Sequence, residues 1–409
     1  MVTSDALAED GDRRPSISLA RLFLLFLSFG LLGFGGPVAQ IALVRRRLIE
    51  REAWMPPDRF DRLLAVMQVL PGPEAHELCV HMGIRARGRW GGLVAGLGFM
   101  APGFALMMGL AWFYFAIALD IQGVASALLA VQAAVLAVIV RAGWKIAGHV
   151  LNRLGLALLA VVALGLTLGG VSFWLVLPAA GAAWALTQSG RLRAGLGLMM
   201  AAGAVGLALA WRDGAAGGHA RALVEAVTRP GSEALGLLFL SGLKVGLLTF
   251  GGAYTAIPVL RGDAERGGWL SDGQFLDSVA LAQVIPAPLI IFATFVGYAA
   301  GGPWGGLAMT AGVFLPAFAF SMIFYDRLEA VVDNARLHAF LDGVFAGVAG
   351  LIAATVVQLG WSLWIGEPSA RVVLAMVFLA SLAAVWAWRS AMTIPAVVIA
   401  AGVLGAAAL

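Results

Sequence analysis

Residues 70–77 read Leu-Pro-Gly-Pro-Glu-Ala-His-Glu and interrupt an apolar run that extends over residues 63–84. A proline lacks a backbone N–H and clashes with the preceding helical turn, so two prolines around a glycine predict a break in a helix. Within lipid, such a break is tolerated only where protein or a water-filled cavity covers the freed backbone groups. Because two glutamates and a histidine follow at once, the stretch predicts a functional site at membrane depth.

The composition of the chain indicates an all-α polytopic membrane protein. Hydrophobic residues make up 61% of the 409 residues, charged residues 12%, and the mean hydropathy is +0.91. Soluble domains carry about 25% charged residues. The single cysteine, Cys79, excludes a disulfide framework and a four-thiolate metal site. The net charge of +4 comes from arginines in loops, which indicates membrane orientation and no nucleic-acid partner.

The chain contains an internal duplication. Phe-Gly-Gly at residues 34–36 recurs at 250–252, an offset of 216, and Trp-Gly-Gly at 90–92 recurs at 304–306, an offset of 214. At an offset of 215, Trp54, Phe60, Gln68, Pro71 and Pro73 correspond to Trp269, Phe275, Gln283, Pro286 and Pro288. The changes of offset fall in polar loops, where deletions are tolerated. We therefore predict two homologous halves, residues 1–211 and 234–409, joined by a polar linker at 212–233.

Charge predicts how the two halves are oriented. The loop at residues 45–62 carries six arginines against four acids, whereas the equivalent loop at 261–277 carries two arginines against four acids. Cytoplasmic loops are enriched in Lys and Arg, so the first loop is expected in the cytoplasm and the second outside it. This predicts an inverted repeat, as in secondary transporters whose sites lie between broken helices. Arginines at both ends of the run at 63–84 further predict a re-entrant hairpin with its tip at Gly72.

The order of motifs resembles a known family. Phe-Gly-Gly-Pro at 34–37, Gln68 followed by residues 70–76, and Trp-Gly-Gly-Leu-Val-Ala-Gly at 90–96 are similar to the chromate ion transporter (CHR) family in its long, two-domain form. The resemblance implies an inner-membrane protein that exports chromate and confers resistance to it, with sulfate as a competitor. One residue departs from the pattern, because Ala287 stands where the second half would have glycine. Alanine restricts backbone angles that glycine permits, so this half is expected to play the more structural part.

The breaks predict an oxyanion site. A helix N-terminus offers unpaired N–H groups and roughly half a positive charge, and proline is favoured at the first helical position. Pro73 and Pro288 are therefore expected to begin half-helices, with the glycine pairs allowing close backbone approach. The predicted substrate-binding residues are Gly35, Gly36, Pro37, Gln68, Pro71, Gly72, Pro73, Glu74, His76, Lys244, Gly251, Gly252, Gln283, Pro286 and Pro288. The alternative is that the breaks are packing kinks only.

Individual side chains allow two interpretations each. Glu74 either exchanges a proton in step with anion binding or complements the helix dipole. His76 is expected to donate to the anion or line its path. Lys244 either serves as counter-ion to the substrate or extends its head to the near surface. The two glutamines bind either orphaned carbonyls or the oxyanion, and Arg141 and Lys145 form a basic face that anchors the helix at the membrane surface or gates the substrate.

The remaining patterns exclude other classes. His76 and His81 are five residues apart, whereas the zinc-protease pattern needs histidines at i and i+4, so no metal site and no cofactor are expected. No nucleophile–base set supports a membrane-embedded enzyme. Uptake of sulfate or another oxyanion is the alternative within transport, and proton-motive force is the expected drive for export. With a duplication in one chain, both a monomer and a homodimer surrounded by membrane lipid are compatible with the sequence.

Overall fold

The computed structural model describes residues 15–67, 72–118, 121, 123–150, 153–216, 232–249, 252–323, 335–388, 390 and 392–409. These residues form helices and helical turns and include no strand. Within them, five segments are long and apolar enough to cross a membrane: Glu74–Ala116, Val124–Gly148, Leu192–Arg212, Leu289–Ile323 and Leu337–Gly366. Six shorter apolar helices accompany them. The prediction of an all-α polytopic membrane protein is confirmed.

The first half begins with a helix that Ser18 caps, its hydroxyl accepting from the Arg21 amide at 3.3 Å. A break at the first Gly-Gly motif separates this helix from the next, as predicted. The helices are α1 (Leu19–Leu32), α2 (Gly36–Val44, continued by a π-helical turn Arg45–Arg51), α3 (Pro57–Met67), α4 (Glu74–Ala116), α5 (Val124–Val150), α6 (Leu154–Leu168), α7 (Phe173–Gln188) and α8 (Leu192–Ala216).

The second half repeats this order. Its helices are α9 (Ser232–Leu247), α10 (Ala256–Gly267), α11 (Asp272–Val284), α12 (Phe292–Ile323), α13 (Ala335–Gly366), α14 (Arg371–Ala387) and α15 (Thr393–Ala408). Short 3₁₀ turns at Ala253–Thr255 and Leu289–Ile291 precede α10 and α12. Ser271 and Gln274 form a capping box that starts α11.

The long helices α4 and α12 are bent hairpins. In α4 the backbone leaves helical geometry at Arg87 and Gly88, and Gly88 has a φ of 62°. In α12 it does so at the equivalent Gly301 and Gly302, with the same φ at Gly302. Glycine adopts such positive φ values without a steric penalty, so each helix can reverse into two antiparallel arms.

The two arms of each hairpin touch through glycine. A methyl group added to Gly83 would lie 2.4 Å from the Gly91 carbonyl oxygen, and one added to the equivalent Gly297 would lie 2.5 Å from that of Gly305. Small residues let membrane helices approach at backbone distance. The glycine-rich composition therefore serves close packing within the hairpins.

The first arm of α4 leads from the Pro-Gly-Pro break to the surface. At 1.5 Å per residue, residues 74–86 span about 20 Å, which is short of the roughly 30 Å hydrocarbon layer. At the end of this arm, Arg85 donates through Nε to the Trp54 carbonyl at 2.9 Å, just before α3 begins. The chain therefore enters along α3 and returns along the first arm of α4 to the same side. This arrangement agrees with the predicted re-entrant hairpin, whose tip includes residues outside the described ranges.

The second arms of α4 and α12 show how the halves are related. Gly96 of α4 lies against the Phe318 ring of α12, and Gly306 of α12 lies against the Met108 sulfur of α4, so the arms run antiparallel. Each arm starts at the turn of its own hairpin, at 87–88 or 301–302. These turns consequently lie at opposite ends of the helix pair, which confirms the inverted repeat.

The two halves interlock through their later helices. Helix α5 of the first half packs against α14 and α15 of the second, and α13 of the second half packs against α6 and α7 of the first. In the centre, α4 and α12 pack against each other, with α1 along α4 and α9 along α12. The breaks that precede α4 and α12 are thereby brought to the middle of the protein.

Candidate functional site

Each Pro-x-Pro break packs against the long helix of the other half. A methyl group added to Gly72 would lie 3.3 Å from the Ala317 Cβ of α12, and one added to Gly103 of α4 would lie 2.5 Å from the Ala287 Cβ. Gly72 is the repeat equivalent of Ala287, and Gly103 is that of Ala317. The Gly72 amide also donates to the carbonyl of Thr249, beside the second Gly-Gly motif, at 2.8 Å. Breaks from both halves therefore meet at the crossing of α4 and α12.

These contacts explain why Ala287 replaces glycine. Gly72 has a φ of 147°, where an L side chain is strained, whereas Ala287 is not among the described residues with positive φ. Glycine and alanine are exchanged between the two contacts, because Gly72 faces an alanine and Ala287 faces Gly103. Each contact therefore holds one methyl group.

A double replacement tests this complementarity. Gly103→Ala should lower the free energy of unfolding by about 1–3 kcal/mol, the usual cost of overpacking, because its new methyl meets that of Ala287. Adding Ala287→Gly should restore stability. Thermal unfolding of the purified chain measures both effects. Gly109→Ala in the same helix is the matched control, since nothing lies within 4 Å of the added methyl; equal melting temperatures for Gly103→Ala and Gly109→Ala would contradict the contact.

Unpaired amides face the first break. The amides of His76 and Glu77 donate to the Pro73 carbonyl at 2.8 and 3.0 Å, while those of Glu74 and Ala75 have no backbone acceptor in the described part of the chain. Pro73, predicted as the first helical residue, is instead the N-cap of α4, one position before the helix begins at Glu74. The helix N-terminus predicted here is thus present, and its free amides are suited to an oxyanion.

The second break has the same arrangement. The Ile291 amide donates to the Pro288 carbonyl at 2.9 Å, and the amides of Leu289 and Ile290 have no recorded backbone acceptor where the structure describes the chain. Pro288 caps a 3₁₀ turn here, and α12 begins only at Phe292. The second half-helix therefore starts later than its proline, which shifts the predicted start.

Two polar side chains of the first arm are buried. Neither carboxylate oxygen of Glu77 has a hydrogen-bond partner among the described residues, and the His76 ring has the Gly96 backbone as its neighbouring polar group. The Glu77 side chain reaches back to the break, because a methyl on Gly72 would lie 2.4 Å from Oε1. Glu77, which the sequence pattern did not single out as a site residue, therefore places a carboxylate at the tip.

The imidazole of His76 lies in an aromatic enclosure. Its ring centroid is 4.9 Å from that of Phe314, 4.7 Å from Phe318 and 6.4 Å from Phe99. The enclosure joins both halves, since Phe314 and Phe318 belong to α12. His81, further along the same arm, is also buried, because the first arm of α4 packs on all sides.

Positive charge reaches the breaks from α5. Lys145 lies within electrostatic range of Glu74, and Arg141 lies within that of Tyr254, which follows the second Gly-Gly motif. Helix α5 extends to Val150, so both cations belong to the helix. Arg141 is half-buried and Lys145 is exposed, so the membrane-surface anchor and the substrate gate both stay predictions.

Lys244 belongs to a separate cluster of polar and charged side chains around Asp263. Its ammonium binds Oδ2 of Asp263, which also accepts from the Ser241 hydroxyl at 2.5 Å, while Oδ1 accepts from Arg266 at 2.5 Å. The ammonium lies 5.3 Å from the centroid of the Phe173 ring. None of these contacts involves another predicted site residue, so the structure does not bring Lys244 to the breaks.

The glycine motifs and glutamines are placed as follows. Gly35 and Gly36 have φ values of 93° and 80° at the start of α2, and Pro37 follows in its first turn. Gly252 has a φ of 125° before the 3₁₀ turn. Gln283 is buried in the last turn of α11 and neither its amide oxygen nor its nitrogen is paired with a described residue.

The remaining predicted substrate-binding residues either lie at the second break or fall outside the residues that the structure describes. Pro286 belongs to the break, and its carbonyl oxygen is 3.7 Å from a methyl added to Gly103. Gln68, Pro71 and Gly251 lie outside the described residues. Within the described ranges, no group of three or more His, Cys, Asp or Glu side chains is placed to hold a metal ion.

Sequence reasoning missed one buried carboxylate that links the halves. Asp277 of α11 accepts from the Tyr114 hydroxyl of α4 at 2.7 Å and from the Gln132 amide of α5 at 3.0 Å. The predicted apolar span began at residue 278, which left Asp277 in a loop. The capping pair at the start of α11 was the available signal, because a helix that begins at Asp272 carries Asp277 into its second turn.

Comparison with known proteins agrees with this architecture. The family model described as chromate transporter matches residues 20–186 and 236–406, once in each half. A chromate transport protein of Pseudomonas aeruginosa is 55% identical over 96% of this chain and 92% of its own length. One of Cupriavidus metallidurans is 29% identical over 89% of this chain and 88% of its own length.

The chain is also similar to a more distant transporter. An uncharacterized transporter of Methanocaldococcus jannaschii is 24% identical over 85% of this chain and 86% of its own length. No solved structure matches the chain. Two matched repeats, a relative of 55% identity and motifs in the predicted order lead to one conclusion: the chain belongs to the chromate transporter family.

Proposed function

We propose that this chain exports chromate across the bacterial inner membrane, driven by the proton-motive force, and so confers chromate resistance. Relatives named as chromate transport proteins support the substrate. The inverted repeat with broken helices supports secondary transport, because such repeats place their sites between discontinuous helices near the membrane midplane. The observation that carries the proposal is the meeting of both breaks at the crossing of α4 and α12.

The proposed anion site uses backbone donors and nearby cations. The free amides at Glu74 and Ala75 lie at the N-terminus of α4, which favours an anion, and those at Leu289 and Ile290 lie in the 3₁₀ turn that precedes α12. Arg141 of α5 adds a full positive charge next to the second Gly-Gly motif. A tetrahedral dianion such as chromate accepts several hydrogen bonds at once, so it suits donors that come from both halves.

The inverted hairpins provide a route for alternating access. The hairpin of the first half opens toward the turn at residues 87–88, and that of the second half opens toward the turn at 301–302, at the opposite end of the helix pair. Movement of one hairpin against the other would expose the same amides first to one side and then to the other. Because glycine contacts hold the two arms of a hairpin close together, we expect each hairpin to move as one unit.

For proton coupling, the structure draws attention to Glu77 as well as Glu74. Glu74 is accompanied by Lys145, whereas Glu77 is buried with no partner among the residues described. An ionised carboxylate is far more costly to bury unpaired than a neutral carboxylic acid. We infer that Glu77 exchanges a proton in step with anion binding and so couples chromate export to the proton gradient.

Chromate flux in inverted membrane vesicles tests the proposal. Wild type should accumulate labelled chromate, and both excess sulfate and collapse of the proton gradient should reduce the accumulation. Glu77→Gln should lose gradient-driven accumulation but retain exchange of chromate for chromate, because exchange needs no net proton movement. Glu74→Gln is measured beside it, and Glu367→Gln, which removes an exposed carboxylate between α13 and α14, is the control.

The outcomes separate the parts of the proposal. Absence of chromate flux with the protein present in the membrane would refute the substrate. Flux that is unaffected by collapse of the gradient would refute proton coupling. Loss of coupling in Glu74→Gln with normal coupling in Glu77→Gln would assign the proton to Glu74, and accumulation of labelled sulfate in right-side-out vesicles without chromate flux would favour sulfate uptake.

A further inference from the structure

A lateral cavity of about 490 Å³ lies between α9, α10 and the start of α7, apart from the breaks. Its volume falls within the range of about 300–1,000 Å³ that is typical of small-molecule sites. One wall is a stripe of leucines on α9: Leu237, Leu240, Leu243 and Leu247. Their spacing of three to four residues places them on one face of the helix. The cavity is therefore a long apolar trough.

Polar groups are confined to one part of this trough. Asp263 and the two cations that bind it, Lys244 and Arg266, line the cavity together with Ser241. Two cations against one carboxylate leave an excess positive charge. The Arg266 side chain is 50% exposed, so it retains donors that can turn toward a ligand. This cluster is suited to an anionic group.

Two tryptophans line the cavity beside the cluster. Trp174 and Trp269 both belong to its wall, and tryptophan is enriched at the membrane–water interface. The indole Nε1 of Trp269 is buried against Gly267 and has no hydrogen-bond partner among the described residues. It is therefore an unsatisfied donor in the wall of the cavity.

We propose that this cavity binds an anionic phospholipid. The phosphate would lie at Arg266 and Lys244, a lipid oxygen would accept from the Trp269 indole, and one acyl chain would follow the leucine stripe. Basic pockets between membrane helices bind anionic headgroups in this manner. The proposal also gives Lys244 a role consistent with its position away from the breaks, and it does not depend on the transported substrate.

Native mass spectrometry of the purified full chain tests the proposal. Wild type should retain phosphatidylglycerol in preference to phosphatidylcholine of the same acyl chains. Arg266→Gln should weaken phosphatidylglycerol binding about fivefold, the usual effect of one cation near an anionic membrane surface. Leu240→Trp should displace the acyl chain and abolish the preference; Leu240 is 57% exposed, so the larger side chain does not disturb helix packing.

Matched controls decide the outcome. Arg371→Gln removes another cation that lies on a tryptophan, 5.3 Å from the Trp364 ring, and should leave lipid binding unchanged. Equal retention of the two lipids by wild type would overturn the proposal. So would an unchanged preference in both Arg266→Gln and Leu240→Trp. Displacement of the lipid by millimolar inorganic phosphate would identify a free-anion site and overturn it as well.

Discussion

Gly72→Ala should abolish chromate transport and lower the free energy of unfolding by about 2 kcal/mol or more. The φ of 147° at this position is one that alanine rarely adopts. The added methyl would also lie 2.4 Å from the Glu77 carboxylate oxygen. Relief of either conflict moves the tip of the hairpin, and with it the amides of Glu74 and Ala75 that we assign to the anion.

The equivalent contact of the second break, between Ala287 and Gly103, provides a matched comparison for this prediction. Ala317→Gly should not rescue Gly72→Ala, because the backbone strain and the contact with Glu77 remain. Ala287→Gly should rescue Gly103→Ala, where the facing methyl is the nearest obstacle at 2.5 Å. Vesicle flux and thermal unfolding are measured for each variant at matched expression. Wild-type flux in Gly72→Ala would show that the backbone geometry of the first break is not part of the site.

Lys244→Ala should destabilise the protein by about 3 kcal/mol, the lower part of the range for breaking a buried ion pair. The loss leaves Asp263, whose side chain is 9% exposed, with Ser241 and Arg266 only. Asp263→Asn in the same chain should restore most of the stability, because the carboxylate charge that had lost one of its two cations is then absent. The melting temperature of the purified single and double variants measures this effect.

Transport by the double variant distinguishes two roles of Lys244. If the lysine acts only in the cluster with Asp263, the double variant should both fold and transport chromate. If it is a counter-ion of the substrate, the double variant should fold and still fail to transport. The structure favours the first result, because every recorded contact of the ammonium lies within α9, α10 or the start of α7.

Much of the fold followed from local properties of the chain. A proline pair around one residue disfavours a continuous helix, so Pro71, Pro73, Pro286 and Pro288 marked the interruptions before any packing was known. The repeat followed from the order of residues alone, and loop arginines indicated its inverted sense. The structure confirms the inversion through the antiparallel arms of α4 and α12.

The partners of the charged side chains could not be predicted in this way. The sequence showed Lys244 as a lone lysine in an apolar span. Its partner Asp263 comes from the following segment, which was predicted as a loop. From the sequence, Arg141 and Lys145 were expected at the membrane surface or at a substrate gate. In the structure, both belong to α5, and Arg141 lies within electrostatic range of Tyr254 beside the second Gly-Gly motif. The sequence placed Asp277 in a loop. In the structure, it belongs to α11 and accepts a hydrogen bond from Tyr114, a residue 163 positions earlier in the chain.

The sequence by itself determined the class, the repeat, the breaks and the family. These depend on hydrophobic length, on the missing N–H of proline and on residue order, all of which are local or additive along the chain. The folded chain was needed to show which breaks meet, why Ala287 stands opposite Gly103, and which carboxylates are paired. A buried charge or methyl group is stable only with a suitable neighbour, and for Ala287 and Asp277 that neighbour comes from the other half.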